Sequence, residues 1–200
     1  FLIRQLSLIL QALPHRIALA IGRFFGLLFS KIHYRRRIAY ANLKAAFGDK
    51  FSARERKKIV VRHFLNLAQN VVEVLRFPKL SLHYFSKYIS VTGREHYEAL
   101  ARKNQGTLLI MPHFGNWELS QILSALVGKP LHVLARQQKH SPIDDFLNEL
   151  RSSHGSTTIH KGGALRELIR VLRQGGMVGV LGDLSGGREG TKVQFFGRKT

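Results

Sequence analysis

The rhythm of apolar and polar positions changes once along this chain, near Tyr88. Before that point long amphipathic stretches dominate. The opening LSLILQALPHRIALAIGRFFGLLFSKI is apolar for most of its length, yet Pro14, His15, Arg16 and Arg23 interrupt it. No uncharged run approaches the ~20 residues that a spanning helix needs. The stretch reads either as a helix pair lying in a membrane interface, its cations reaching headgroups, or as buried core helices. KIHYRRRIAYANLKAAF then sets Arg35, Arg36 and Arg37 ahead of Ile38, Leu43, Ala46 and Phe47 at roughly helical spacing, a basic amphipathic helix. Ser52 with Glu55 forms a capping box, which predicts a helix to about Phe77, where Pro78 stops it.

Beyond Tyr88 short apolar runs alternate with amphipathic stretches: YISV, REHYEALARK, TLLIM, NWELSQILSAL, LHVLA, PIDDFLNELRS, STTIH, ALRELIRVLRQ and MVGVLG. Strand and helix alternating in this way predict βαβ units. The expected fold is therefore α/β, a mainly parallel sheet flanked by helices over residues 35–200, preceded by apolar membrane-associating helices over residues 1–34. The chain opens on Phe1 and stops at FFGRKT without a helix terminator, so more chain is expected at both ends, including a C-terminal part.

Composition narrows the function. The formal charge of +20, from 32 Lys and Arg against 12 Asp and Glu, favours an anionic partner: nucleic acid, an acidic protein or a lipid headgroup. With no Cys, disulfides, thiolate zinc sites and a cysteine acyl-enzyme are excluded from this chain. The ten His are scattered without metal-ligand spacing, and HExxH, GxSxG and GxxxxGK[ST] are all missing, so neither a metal nor a cofactor is expected.

In open parallel sheets, ligands bind beyond the carboxyl ends of the strands. The polar residues next after TLLIM, LHVLA and MVGVLG are His113, Arg136 and Asp183. In HFGNWE, Pro112 ends the strand, Gly115 permits a tight turn and Asn116 is suited to cap the next helix. The five-residue offset allows the Glu118 carboxylate to reach one nitrogen of His113, fixing its tautomer and leaving the other nitrogen to take a proton. The competing reading is a loop histidine with a glutamate enriched in a first helical turn. Without Cys or a positioned Ser, a His–Glu pair suits direct activation of a substrate hydroxyl.

HFGNWE resembles the H(X)4D/E motif of the glycerolipid acyltransferases. The chain as a whole is more similar to the bacterial lipid A biosynthesis acyltransferases, the late lauroyl and myristoyl transferases. RRRIAYANLKAAF, RHFLNLAQNVVEVLRFP, ARQQ, GGALRELIRVLRQGG and GD followed by VQFFGRKT carry that likeness. The resemblance implies transfer of an acyl group from an acyl carrier protein or coenzyme A thioester to a hydroxyl of an anionic glycolipid at the cytoplasmic face of the bacterial inner membrane. His113 is then the base and Glu118 its support. Phe114, Gly115 and Asn116 line the substrate, with backbone N–H groups of the 114–117 turn or Arg136 stabilising the oxyanion. Arg136, with Gln137 of ARQQ beside it, faces an acceptor phosphate. Asp183 matches the family's strand-end aspartate, but Leu184 stands where many relatives have Gln or His, which bears on the acceptor. SGGREG at 185–190 reads as a flap or an ordinary hairpin loop, and Lys161 with Gly162 as an anion site or plain loop. Two other classes compete. A nucleic-acid binder would use the charge, but the aromatic residues form no RNP or OB pattern and the apolar N-terminus would have no role. An inert peripheral membrane protein would have no use for His113 and Glu118 together.

Overall fold

The computed structural model describes residues 2–103, 105–121, 124, 128–135, 141–160, 164–184 and 190–199. Two compact units emerge, one from Phe1–Gln11 with Val74–Asp183, the other from Ala12–Glu73 with Leu184–Thr200. Neither ends at residue 34.

The second unit holds helices α2 (His15–Phe29), α3 (His33–Phe47) and most of α4 (Ala53–Leu75), together with a hairpin of β5 (Gln194–Phe195) and β6 (Arg198–Lys199). The capping box read at Ser52 forms as expected. The Glu55 carboxylate accepts from the Ser52 N–H at 2.8 Å, and the Glu55 N–H donates back to Ser52 Oγ at 3.3 Å. Helix α4 closes near its predicted end, and Pro78 falls in the single 3₁₀ turn Phe77–Lys79 that follows. Helix α2 buries a seam of small residues, Ala18, Gly22 and Gly26, of which Gly22 and Gly26 lie against α4. A Cβ on Gly26 would lie 2.7 Å from the Phe64 carbonyl oxygen and 2.8 Å from Leu65 Cα. Those are backbone atoms and cannot turn aside. Gly26→Leu is therefore expected to destabilise this unit by roughly 1–3 kcal/mol, read from the denaturation midpoint. An unchanged midpoint would mean that α2 is not seated on α4.

In the first unit, α1 (Leu2–Ala12) is tied to the chain that follows α4. The buried Ser7 hydroxyl donates to the Leu75 carbonyl at 2.6 Å, Arg76 donates to the Leu10 carbonyl, and Lys79 Nζ reaches the Gln11 carbonyl at 2.9 Å. Helices α5 (Leu82–Tyr88) and α6 (Arg94–Arg102) lead to the sheet. YISV, predicted as a strand, forms none: Tyr88 ends α5, and the following residues are an extended link to α6. Among the described residues no strand pairs with its β-branched positions.

The sheet comprises β1 (Thr107–Met111), β2 (Leu131–Ala135), β3 (Thr157–His160) and β4 (Met177–Leu181), with α7 (Ser141–Ser152) and α8 (Ala164–Arg173) between them. Every pairing is parallel and the order is β1-β4-β2-β3, as a sheet covered by helices requires. On one face Val178 and Ile159 pack with Leu134 and Val180 under Leu168 and Val171 of α8. On the other, Leu131, Val133 and Met177 pack with Leu109, Met111 and Tyr97 of α6. Burial pushes the Tyr97 phenol up to about 12, so it stays neutral at physiological pH.

Candidate active site

Strands β1 and β4 are neighbours in register, Met111 opposite Leu181, and the Gly182 N–H extends the ladder to the Met111 carbonyl at 3.2 Å. Pro112 has no N–H and ends β1 there. Two residues beyond the last paired position, His113 and Asp183 face each other. The carboxylate takes the place of a further rung: Asp183 Oδ2 accepts the His113 backbone N–H at 2.8 Å, and Oδ1 lies 2.7 Å from His113 Nδ1. A charged carboxylate at that distance requires Nδ1 to carry the proton, which leaves Nε2 as an acceptor. The ring hydrogen bond from His113, supported by its backbone N–H and opposed by partial burial, holds the Asp183 carboxyl below its ordinary range. The carboxylate thus stays charged while it orients the imidazole.

The turn after His113 is tight. Its Phe114 N–H bonds the Pro112 carbonyl at 2.8 Å, and Gly115 sits at φ 60°, a conformation that suits glycine. The Phe114 N–H is thereby spent within the turn, which removes it from the expected oxyanion donors. Trp117 opens the 3₁₀ turn Trp117–Leu119 and sets its ring edge-on to His113, centroids 4.9 Å apart. Asn116 occupies the cap position, but its side chain makes no cap hydrogen bond, because the helix begins as a 3₁₀ turn rather than with the α-helical geometry a capping side chain needs. Phe114 is 85% exposed, an apolar side chain one residue from His113.

The expected contact between His113 and Glu118 does not form. Glu118 instead receives a two-pronged hydrogen bond from Arg151 of α7, Nη2 to Oε1 at 2.8 Å and Nε to Oε2 at 3.2 Å, and a further one from the buried Gln121 amide. The side chains of Arg151 and Glu118 are only 12% and 14% exposed. The 3₁₀ turn directs Glu118 onto that cation, while His113 Nδ1 is already held by Asp183.

A family model described as bacterial lipid A biosynthesis acyltransferase matches residues 1–200. The chain belongs to that family. Two curated members are similar at lower resolution of detail: the lipid A biosynthesis myristoyltransferase of Escherichia coli (strain K12) and the lipid A biosynthesis acyltransferase 1 of Shigella flexneri. Each is 25% identical over 177 residues, covering 88% of this chain and 54% of the relative. The chain spans about half the length of these curated relatives.

Within this family member, then, His113 and Asp183 come together, while Phe114, Gly115 and Asn116 form the adjoining turn. Arg136, Gln137, Lys161 and Gly162, like residues 185–189 of the Gly-rich loop, lie outside the described residues. Sequence reasoning missed Arg151 and Gln121. A signal existed for the first: Arg151 stands four residues after the half-buried Leu147 on α7, and an arginine continuing an inward stripe needs a carboxylate to meet it.

Proposed function

We propose that this chain carries the base of an acyltransferase that moves a fatty acyl group from a thioester, on an acyl carrier protein or coenzyme A, to a hydroxyl of a lipid A precursor. The double hold of one Asp183 carboxylate on the His113 backbone and ring carries this reading, since it presents Nε2 as a fixed proton acceptor at the carboxyl end of a parallel sheet. His113 Nε2 takes the proton of the acceptor hydroxyl as its oxygen attacks the thioester carbonyl. The tetrahedral intermediate collapses, the carbon–sulfur bond breaks, and the proton passes from His113 to the departing thiolate. No covalent enzyme intermediate is needed, in keeping with a chain that has no Cys.

Glu118 acts at one remove in this scheme. With Arg151 it anchors the 3₁₀ turn that carries Trp117, and Trp117 flanks the imidazole. Arg136 with Gln137 directly follows β2, and Lys161 with Gly162 directly follows β3, so a phosphate on the acceptor is their natural ligand. The work site is the cytoplasmic face of the inner membrane, where thioester donors and a membrane-held glycolipid meet. The names of the curated relatives support lipid A as the acceptor class.

The test is mass spectrometry of a lipid A precursor incubated with the full-length protein and an acyl thioester, where a gain of one acyl group is expected. Asp183→Asn should lower kcat by roughly 10²- to 10⁴-fold with little change in KM, because the amide can no longer enforce the Nδ1–H tautomer. Wild-type turnover in Asp183→Asn would remove the pairing from the mechanism.

A further inference from the structure

Helix α2 is built the wrong way round for a helix surrounded by water. Its buried positions are the small ones, Ala18, Gly22 and Gly26, while its large apolar side chains point outward: Ile17 is 50% exposed, Phe24 59% and Leu28 43%. At 3.6 residues per turn those outward residues fall along one line, and Leu27, Ile21 and Phe25 widen it on either side. Arg16 and Arg23 are exposed too and, being seven residues apart, lie within about 20° of each other, on one flank of that face. Arg16 shares a shallow apolar depression with Ile17, Ala20, Ile21, Phe24 and Phe25. Arg35, Arg36 and Arg37, all exposed, follow in α3 after a 90° bend.

Helix α2 reaches the length and apolarity of a membrane span only when joined to α3, and the two are broken by a 90° bend. Helix α2 has 15 residues, and no single described helix is long and apolar enough to cross a membrane. Fifteen residues rise only about 22 Å against ~30 Å of hydrocarbon. Crossing would also draw Arg16 and Arg23 into the apolar core, whereas a helix in the interfacial plane keeps both at headgroup depth.

We propose that α2 is an in-plane anchor for an anionic bilayer: the Ile17–Phe24–Leu28 face sits among acyl chains, and Arg16, Arg23 and the Arg35–Arg37 run bind lipid phosphates. A bilayer is the occupant that satisfies both features at once, since a purely apolar protein partner would leave the flanking guanidinium groups without counter-charges. The anchor rests on the reading that the protein works at a membrane surface, and it specifies which helix makes that contact and in what orientation.

The chain has no Cys, so a single cysteine can be introduced and spin-labelled without background. Ile17→Cys, Phe24→Cys and Leu28→Cys in the full-length protein would be labelled and bound to phosphatidylethanolamine vesicles containing phosphatidylglycerol. Oxygen and a water-soluble nickel chelate would then report label depth. All three labels are expected at the same depth, just below the phosphates. A progression approaching the roughly 16 Å that a helix rises between Ile17 and Leu28 would overturn the in-plane geometry. Labels shielded from oxygen both with and without vesicles would also overturn it, because the face would be covered by protein, whether more of this chain or a second copy. Arg16→Gln with Arg23→Gln should weaken binding to the anionic vesicles by roughly 30-fold, at about tenfold per 1.4 kcal/mol. Equal binding by that variant would remove the lipid-phosphate part of the proposal. Depth and partition are read without turnover, so failure here leaves the acyl-transfer assignment to its own test.

Discussion

His113→Ala is expected to lower kcat for acyl transfer by about 10²- to 10⁴-fold, the span that a positioned general base contributes. The fold should survive the change. Asp183 keeps its hydrogen bond from the backbone N–H of residue 113, the β1–β4 ladder ends before the substituted position, and the His113 side chain belongs to neither of the two apolar clusters described above. The loss should fall on kcat and kcat/KM alike, since proton removal is an event of the transition state. Parallel circular dichroism and single-turnover assays separate loss of chemistry from loss of structure. A folded His113→Ala protein that turns over at the wild-type rate would show that the proton goes elsewhere.

Arg151→Ala should act through stability. Removing the guanidinium leaves the Glu118 carboxylate largely buried, holding the hydrogen bond from the Gln121 amide but no facing cation among the described residues. Breaking a buried pair from one side costs about 3–5 kcal/mol, and the residual exposure of this pair puts the expected loss near the lower end. The double variant Arg151→Met with Glu118→Gln removes both charges together and should be markedly milder, because no uncompensated charge remains. Denaturant midpoints of the wild type, Arg151→Met, Glu118→Gln and the double variant form a complete cycle. If the double variant is as damaged as Arg151→Ala, the cost lies in lost packing rather than in a stranded charge. If Arg151→Ala is as stable as the wild type, water reaches Glu118 and the brace under Trp117 is not a constraint.

The four sheet strands were legible because parallel strands buried on both faces read as unbroken apolar runs, as TLLIM and MVGVLG do. Their ends then pointed to His113 and Asp183 separately. What joins those two residues is strand order, and nothing local encodes it: β4 comes last in sequence among the sheet's four described strands but lies between β1 and β2. Within HFGNWE the only carboxylate is Glu118, the nearer of the two to His113 in sequence. The one that bonds is 70 positions away. YISV failed for a related reason, since β-branched residues make a strand only where another strand receives them. The inverted helix α2 was visible as an apolar stretch broken by arginines, but which side faced protein depended on the close approach of α4.

The interior position of β4 also governs the order of events during synthesis. When β1, β2 and β3 have left the ribosome, the slot between β1 and β2 must still be open, with unpaired N–H and C=O groups on both sides. Premature zippering of β1 onto β2 would give a compact but dead intermediate, and escape from it would require those strands to part again. Insertion of β4 closes the slot and, in the same movement, carries Asp183 to His113. The nascent chain therefore holds His113 without its carboxylate partner until β4 is in place.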